Sequence, residues 1–270
     1  MVPDLSPPIM KKAVLTIAGS DSSGGAGIQA DLKAMSANGV FGMSVITSIT
    51  AQNTLGVSDI FHLPSSIIEA QLAAIFSDIP VEVVKTGMLA TVAIVTTVSR
   101  TLTQQNPSHL IVDPVMVAKG GQSLLEPEAI SLLKTELIPQ ASLLTPNIHE
   151  AEILAGMPIQ TLADARAAAK IIYQLGCKHV LIKGGHLGEQ PGTDLLYDGR
   201  FFRMYKSEFI QTNNTHGTGC TFASAIAAQI AKGKAIQDAI EVAKTYTTEA
   251  IRHSLSIGKG HGPTDHFYFL

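Results

Sequence analysis

Ala13-Val14-Leu15-Thr16-Ile17-Ala18 runs into Gly19-Ser20-Asp21-Ser22-Ser23-Gly24-Gly25-Ala26-Gly27 and then into Ile28-Gln29-Ala30-Asp31. A β-branched apolar run, a glycine and serine loop, and a helical start predict a strand–loop–helix unit. The pattern then repeats down the chain. Helix is expected from Ile28 to Asn38, stopped at Gly39, and strand from Ser44 to Thr50. Ser65 or Ser66 caps a helix carrying Ile67, Ile68, Leu72 and Ile75. Strand at 83–86 precedes helix around 92–102, and strand at 109–113 precedes helix at 127–137. Strand at 141–145, helix at 162–175 and strand at 179–183 complete the run. Strands separated by helices of this length need crossover connections, hence a mostly parallel sheet with helices on both faces. Asp198-Gly199 between the apolar runs 193–197 and 200–202 signals a hairpin, so one edge of the sheet is expected to be antiparallel. Two more helices, 221–231 and 235–252, end the chain.

Composition fits one such unit. The chain has 270 residues, 46% of them hydrophobic and 15% charged, enough for a large core and too apolar for disorder. A single domain is expected over 13–270, behind a proline-rich flexible tail over 1–12 without signal-peptide character. The net charge of −3 gives no basic footprint for nucleic acid. No apolar run reaches membrane-helix length. Two cysteines, Cys177 and Cys220, make no disulfide framework and suit a reducing cytoplasm. Cys177 reads as core filler.

In an open parallel sheet, ligands sit beyond the carboxyl ends of the strands. The polar residues gather at those ends. The first loop is neither a dinucleotide fingerprint nor a P-loop, since the glycine spacing is wrong and no lysine follows. Asp31, one turn into the helix, reads as a solvated surface residue. Later strand ends bring Thr50-Ala51-Gln52-Asn53, Lys85-Thr86-Gly87-Met88-Leu89, Asp113-Pro114-Val115, Thr145-Pro146-Asn147-Ile148-His149-Glu150 and Lys183-Gly184-Gly185-His186. Asp113 and Glu150 could hold a hard cation through water, and Lys183 could meet a phosphate.

Asn214-Thr215-His216-Gly217-Thr218-Gly219-Cys220-Thr221 is a second glycine turn, feeding an apolar helix. Free N–H groups and the positive end of the helix dipole would converge there on a phosphate or developing oxyanion. Cys220 in the first turn sits where a thiol pKa falls most easily. The same residues also fit a helix capped by Thr218 whose glycines only permit the turn. A Cys220–His216 hydrolase dyad would lack an orienting acid nearby in sequence. A nucleotide sensor that binds ATP without turnover is a further alternative.

Taken together, the segments 19–31, 51–53, 85–89, 183–186, 214–221 and Gly258-Lys259-Gly260-His261-Gly262-Pro263 resemble the hydroxymethylpyrimidine/phosphomethylpyrimidine kinases of thiamine biosynthesis, in order from about Ala13 to Phe267. The resemblance implies a ribokinase-like three-layer fold, a homodimer, and use of ATP and Mg²⁺. It implies two successive phosphorylations, of 4-amino-5-hydroxymethyl-2-methylpyrimidine and of its monophosphate. By motif, Gln52 and Asp31 would read the pyrimidine, and Met88, with Gly19, would pack on the ring. Asp113 and Glu150 would serve the metal, with Asn147 beside the phosphates. Lys183, Thr215 and Thr218 would meet ATP. Gly217 and Gly219 would form the anion hole, with Cys220 as base. Pyridoxal kinases share most ATP-side motifs and form the competing expectation. Asp31 and Gln52 favour the aminopyrimidine, because an amide can pair with a ring nitrogen and an exocyclic amine together.

Overall fold

The β-branched run at the start of the chain is the central strand β1 (Ala13–Asp21) of the computed structural model, which describes residues 11–117, 121–122, 124–185 and 191–270. Residues 1–10 of the expected tail, and His186, lie outside the described residues. Helix α1 (Gly27–Ala37) follows, then β2 (Phe41–Asn53), β3 (Gly56–His62), α2 (Ser65–Phe76), β4 (Val83–Thr86), α3 (Val92–Gln105) and β5 (His109–Val112). Next come α4 (Pro127–Leu132), β6 (Leu143–Leu144), α5 (Ile148–Ala155), α6 (Leu162–Tyr173) and β7 (Val180–Ile182). The hairpin β8 (Thr193–Tyr197) and β9 (Phe202–Lys206) leads to α7 (Thr218–Ala231) and α8 (Ile236–Arg252).

The strands form one sheet in the order β3-β2-β1-β4-β5-β6-β7-β8-β9. From β2 to β7 all neighbours are parallel. The expected antiparallel edge is present as β7–β8–β9. A second antiparallel strand, β3, closes the opposite edge against β2 and was not foreseen. Its residues Gly-Val-Ser-Asp-Ile-Phe-His mix polar and apolar groups and stay mostly exposed, so no buried alternation marked them.

Two cores sandwich the sheet. On one face, Leu15, Ile17, Val84 and Val112 pack against α2, α3, α4, α5 and α6. On the other, Val14, Val83, Ile111 and Leu143 pack against α1, α7 and α8. Helix α7 is buried at every position from Thr221 to Ala231, which explains its lack of a polar face. Several boundaries differ from expectation, among them β2, which runs over Phe41–Asn53 rather than 44–50, and α7, which starts at Thr218 rather than 221. Pro64, not a serine, precedes α2. The predicted helix over 127–137 changes to a π-helical turn at Leu133–Leu137.

Candidate active site

A cavity of about 900 Å³ opens along the carboxyl ends of the parallel strands. Gly19, Gln52 and Met88 line one end, and Asp113, Asn147, Glu150 and Lys183 the middle. Thr215, Gly217, Thr218, Gly219 and Cys220 line it from the start of α7. Of the residues expected at the site, only Asp31 does not line this cavity.

The part of the cavity beside Gly19 is shaped by a close approach. A side chain on Gly19 would come within 2.6 Å of Met88 Cε, so the glycine makes room for the thioether. Gln52 is held from several sides. Its backbone N–H donates to Ser22 Oγ at 2.9 Å, and its amide oxygen accepts from Thr50 Oγ1 at 3.0 Å. His216 Nε2 lies 2.7 Å from Asp21 Oδ2 and 3.4 Å from Gln52 Nε2. Burial would push the Asp21 carboxyl up, but hydrogen bonds from His216 and Ser23 hold it down to about 2. His216 Nε2 therefore donates to Asp21, and the Gln52 amide hydrogens find no acceptor there.

The turn before α7 is fixed by contact with the first loop. Gly217 has φ +76°, and a side chain there would strike the backbone of Gly25 and Ala26. Gly217 caps α7, correcting the assignment of that role to Thr218. Thr218 Oγ1 instead donates back to the Thr215 carbonyl at 2.8 Å. Gly219 lies against the charged middle of the cavity, with its would-be Cβ 3.3 Å from Lys183 Nζ and 3.7 Å from Asp113 Oδ2. The helix start, the cation and the carboxylate thus share one small volume.

Lys183 donates to Asp113 Oδ1 at 2.6 Å, and Thr145 Oγ1 donates to the same oxygen at 3.1 Å. Asn147 and Glu150 form a capping box on α5: Asn147 N–H donates to Glu150 Oε2 and Glu150 N–H to Asn147 Oδ1. Burial pushes the Glu150 carboxyl up to about 7; Lys183 pulls it down and Asp113 pushes it up. Two buried carboxylates beside one lysine leave this spot short of positive charge. That fits a hard cation completed by water and substrate phosphates, as Mg²⁺ prefers. Among the described residues no three of His, Cys, Asp and Glu gather as a protein-only metal site.

Two expectations need correction. Asp31 is not a solvated helix residue and does not face the cavity: it is fully buried, and both its oxygens accept from Lys85 Nζ at 2.9 Å. Thr16 and Ser224 hydroxyls complete its shell at 2.6 and 2.7 Å. An aspartate this enclosed has no acceptor left for a substrate. The Cys220 thiol is not depressed either. Burial pushes it up to about 11, Lys85 pulls it down, Asp31 and Asp113 push it up, and the Gly27 N–H favours the thiolate.

Sequence reasoning gave no role to Lys85 or Asp21, and placed His216 only in the disfavoured hydrolase dyad. Lys85 was quoted within a motif without one, and an Asp–His pair separated by 195 residues leaves no local signal. Cys177 is core, with its thiol raised to about 12 by burial.

The Bacillus subtilis hydroxymethylpyrimidine/phosphomethylpyrimidine kinase is 50% identical over 256 residues, covering 94% of both chains. A thiamine biosynthesis bifunctional protein of Geobacter sulfurreducens is 51% identical over 259 residues; the match covers 96% of this chain and 53% of that longer protein. Among solved structures, an ADP complex of Bacillus subtilis pyridoxal kinase superposes with a TM-score of 0.90 at 42% identity, covering 96% of this chain and 99% of that one. The model of the family described as phosphomethylpyrimidine kinase matches residues 21–265, and the chain belongs to that family.

Proposed function

We propose that the protein transfers the terminal phosphoryl group of ATP to the hydroxymethyl oxygen of 4-amino-5-hydroxymethyl-2-methylpyrimidine, and then to the resulting monophosphate. The observation that carries this reading is the single cavity joining Gln52 and Met88 to the Gly217–Cys220 turn and the Lys183–Asp113 pair.

The residues divide the work by position. Met88 offers an apolar surface for the ring. Gln52 pairs with the ring nitrogen and exocyclic amine, its amide already oriented by Thr50. The N–H groups at the start of α7 face the migrating phosphoryl, where fixed donors stabilise charge without reorganising. Lys183, with Thr215 and Thr218, meets the phosphates of ATP, and Asn147 orients Glu150. Asp113 and Glu150 hold Mg²⁺ through water. The metal supplies neutralisation of charge on the transferring phosphates. Cys220 takes the proton from the hydroxymethyl group in the first step. In the second step the phosphate nucleophile is already ionised and needs no base. Asp31 acts indirectly, by holding Lys85.

The resemblance supports a homodimer working in the cytoplasm, and the exposed Ile49 and Phe61, paired across β2 and β3, offer an apolar face for a second copy. No helix of the described residues is long and apolar enough to cross a membrane. The competing substrate is pyridoxal, favoured by the structural match reported above. The test is ADP formation by purified protein with Mg-ATP and a panel of the hydroxymethylpyrimidine, its monophosphate, pyridoxal and ribose. Turnover is expected with the first two and little with ribose. Equal or better efficiency on pyridoxal overturns the assignment.

A further inference from the structure

Lys85 has no direct part in this chemistry, yet it is built into the cavity floor. Its side chain is fully buried and still lines the cavity beside Gly87. Four elements converge on it and its partner: Thr16 from β1, Asp31 from α1, Lys85 from β4 and Ser224 from α7. Ser224 lies four residues beyond Cys220, so the two share one face of α7. The ion pair is thus packed beneath the helical face that carries the thiol. An ammonium has three hydrogens. The two carboxylate oxygens take two of them, which leaves one for the cavity side. A buried ion pair is a poor way to gain stability, since apolar residues of equal volume often serve as well or better. Its place beneath a thiol gives it another use.

We propose that Lys85 is a positioning residue working through Cys220: its fixed charge offsets part of the burial of the thiol and so raises the fraction of sulfur able to accept the proton of the substrate alcohol. The charged groups facing Cys220 are Lys85 from β4, Lys183 after β7, Asp31 from α1 and Asp113 after β5. The two lysines favour the thiolate and the two aspartates oppose it, with Lys85 the strongest of the named charges acting on the sulfur. In the alcohol step the O–H proton passes to Sγ, the new O–P bond forms, the terminal P–O bond of ATP breaks, and ADP leaves. The thiol then returns its proton to solvent. That last part rests on the kinase reading; the electrostatic part does not.

The test reads the thiol directly. Iodoacetamide alkylation of Cys220 is followed by mass spectrometry on the full chain at about pH 8, where the thiolate is the reacting species. Cys177 is sealed in the core, and C220A gives the background. The deciding comparison is D31N against D31N/K85M, in which no carboxylate is left unpaired. Removing Lys85 in this background should slow alkylation at least about tenfold, since about one pKa unit changes the thiolate fraction tenfold. Loosening of the structure would expose the thiol and speed alkylation, so misfolding cannot imitate the expected result. Rates within about twofold, or a faster double variant, overturn the proposal. Steady-state kinetics give the second readout: relative to D31N, the double variant should lose kcat on the alcohol far more than on the monophosphate, with KM for ATP unchanged. If the wild-type protein phosphorylates neither substrate, the kinase reading falls, and the alkylation comparison still decides the role of Lys85.

Discussion

Replacing Gly217 by alanine should injure catalysis more than stability. The residue caps α7 at φ +76°, a left-handed conformation that costs a residue with a Cβ about 1–2 kcal/mol. At about 2–4 °C of melting temperature per kcal/mol for domains approaching this size, that strain alone is worth roughly 2–8 °C. The steric part is larger in its effect on the site. The new Cβ would stand 2.8 Å from the Gly25 carbonyl carbon and 3.2 Å from Ala26 Cα. The Gly25 carbonyl oxygen stands closer still. Ordinary carbon–carbon contact begins near 3.5 Å, so the carbon alone asks the turn to retreat by about 0.7 Å and the oxygen asks for more, and all these neighbours are backbone atoms that cannot rotate away. A shift approaching 1 Å in a group that aims N–H donors at a phosphoryl costs about 10²-fold in rate. On the proposed reading the donors serve both phosphorylations, so kcat should fall by about that factor on the alcohol and the monophosphate alike. Differential scanning fluorimetry and steady-state kinetics at saturating Mg-ATP measure the two effects. A lowered melting temperature with both kcat values within about threefold of wild type would refute the reasoning, because the turn would then have moved without mattering.

Three other outcomes are expected. Gln52→Ala should raise KM for the pyrimidine by the equivalent of about 1–3 kcal/mol and leave KM for ATP near wild type; an unchanged pyrimidine KM removes Gln52 from the site. Because burial pushes the Cys220 thiol up to about 11, the thiolate fraction grows with pH below that value. Turnover of the alcohol should therefore climb nearly tenfold per unit between neutrality and pH ~10, turnover of the monophosphate should not, and C220A should flatten the alcohol profile; a flat wild-type alcohol profile ends the base role. Asp21→Asn removes a carboxyl held at about 2 against its usual 3.8, so at neutral pH it should cost about 2 kcal/mol in urea denaturation. A depressed carboxyl stabilises the fold above its unfolded pKa, and that contribution is lost as pH falls through about 4 toward 2. The difference between the two proteins should shrink over that window, and a constant offset down to about pH 2 would contradict it.

The parallel strands and most of their crossover helices were legible because each carries its own periodicity and ends in its own punctuation; the short helix α5, only eight residues long, was not among them. So were the strand-end motifs, since a glycine turn or a charged residue after an apolar run marks the carboxyl end of a strand. What escaped has a common physical cause. Strand β3 is an exposed edge without a buried face, so nothing in its pattern distinguishes it from loop. Asp31 was misplaced because a lone acid in a helix is ordinarily solvated, and only the arrival of Lys85, 54 residues later, makes burial tolerable. The thiol of Cys220 was expected to follow the helix dipole. Desolvation by residues brought in from distant segments instead pushes it up, and local sequence does not record those neighbours.

Three hydrogen bonds tie the first loop and α1 to the α7 region across nearly the whole chain: Asp21 to His216 over 195 residues, Asp31 to Ser224 over 193, and Asn38 to Gln229 over 191. Closing a loop of that length costs about 5 kcal/mol of chain entropy before any contact repays it. Such long-range pairings form slowly in folding. During synthesis the first glycine loop leaves the ribosome long before its partner turn exists. On the proposed reading, a chain interrupted before residue 214 has the residues that would read the pyrimidine and lacks those that would form the anion hole, so it should not transfer phosphate however well its early strands are ordered. Recovery of turnover after dilution from denaturant should trail recovery of helical circular dichroism, which makes enzymatic activity a reporter of the last stage of folding.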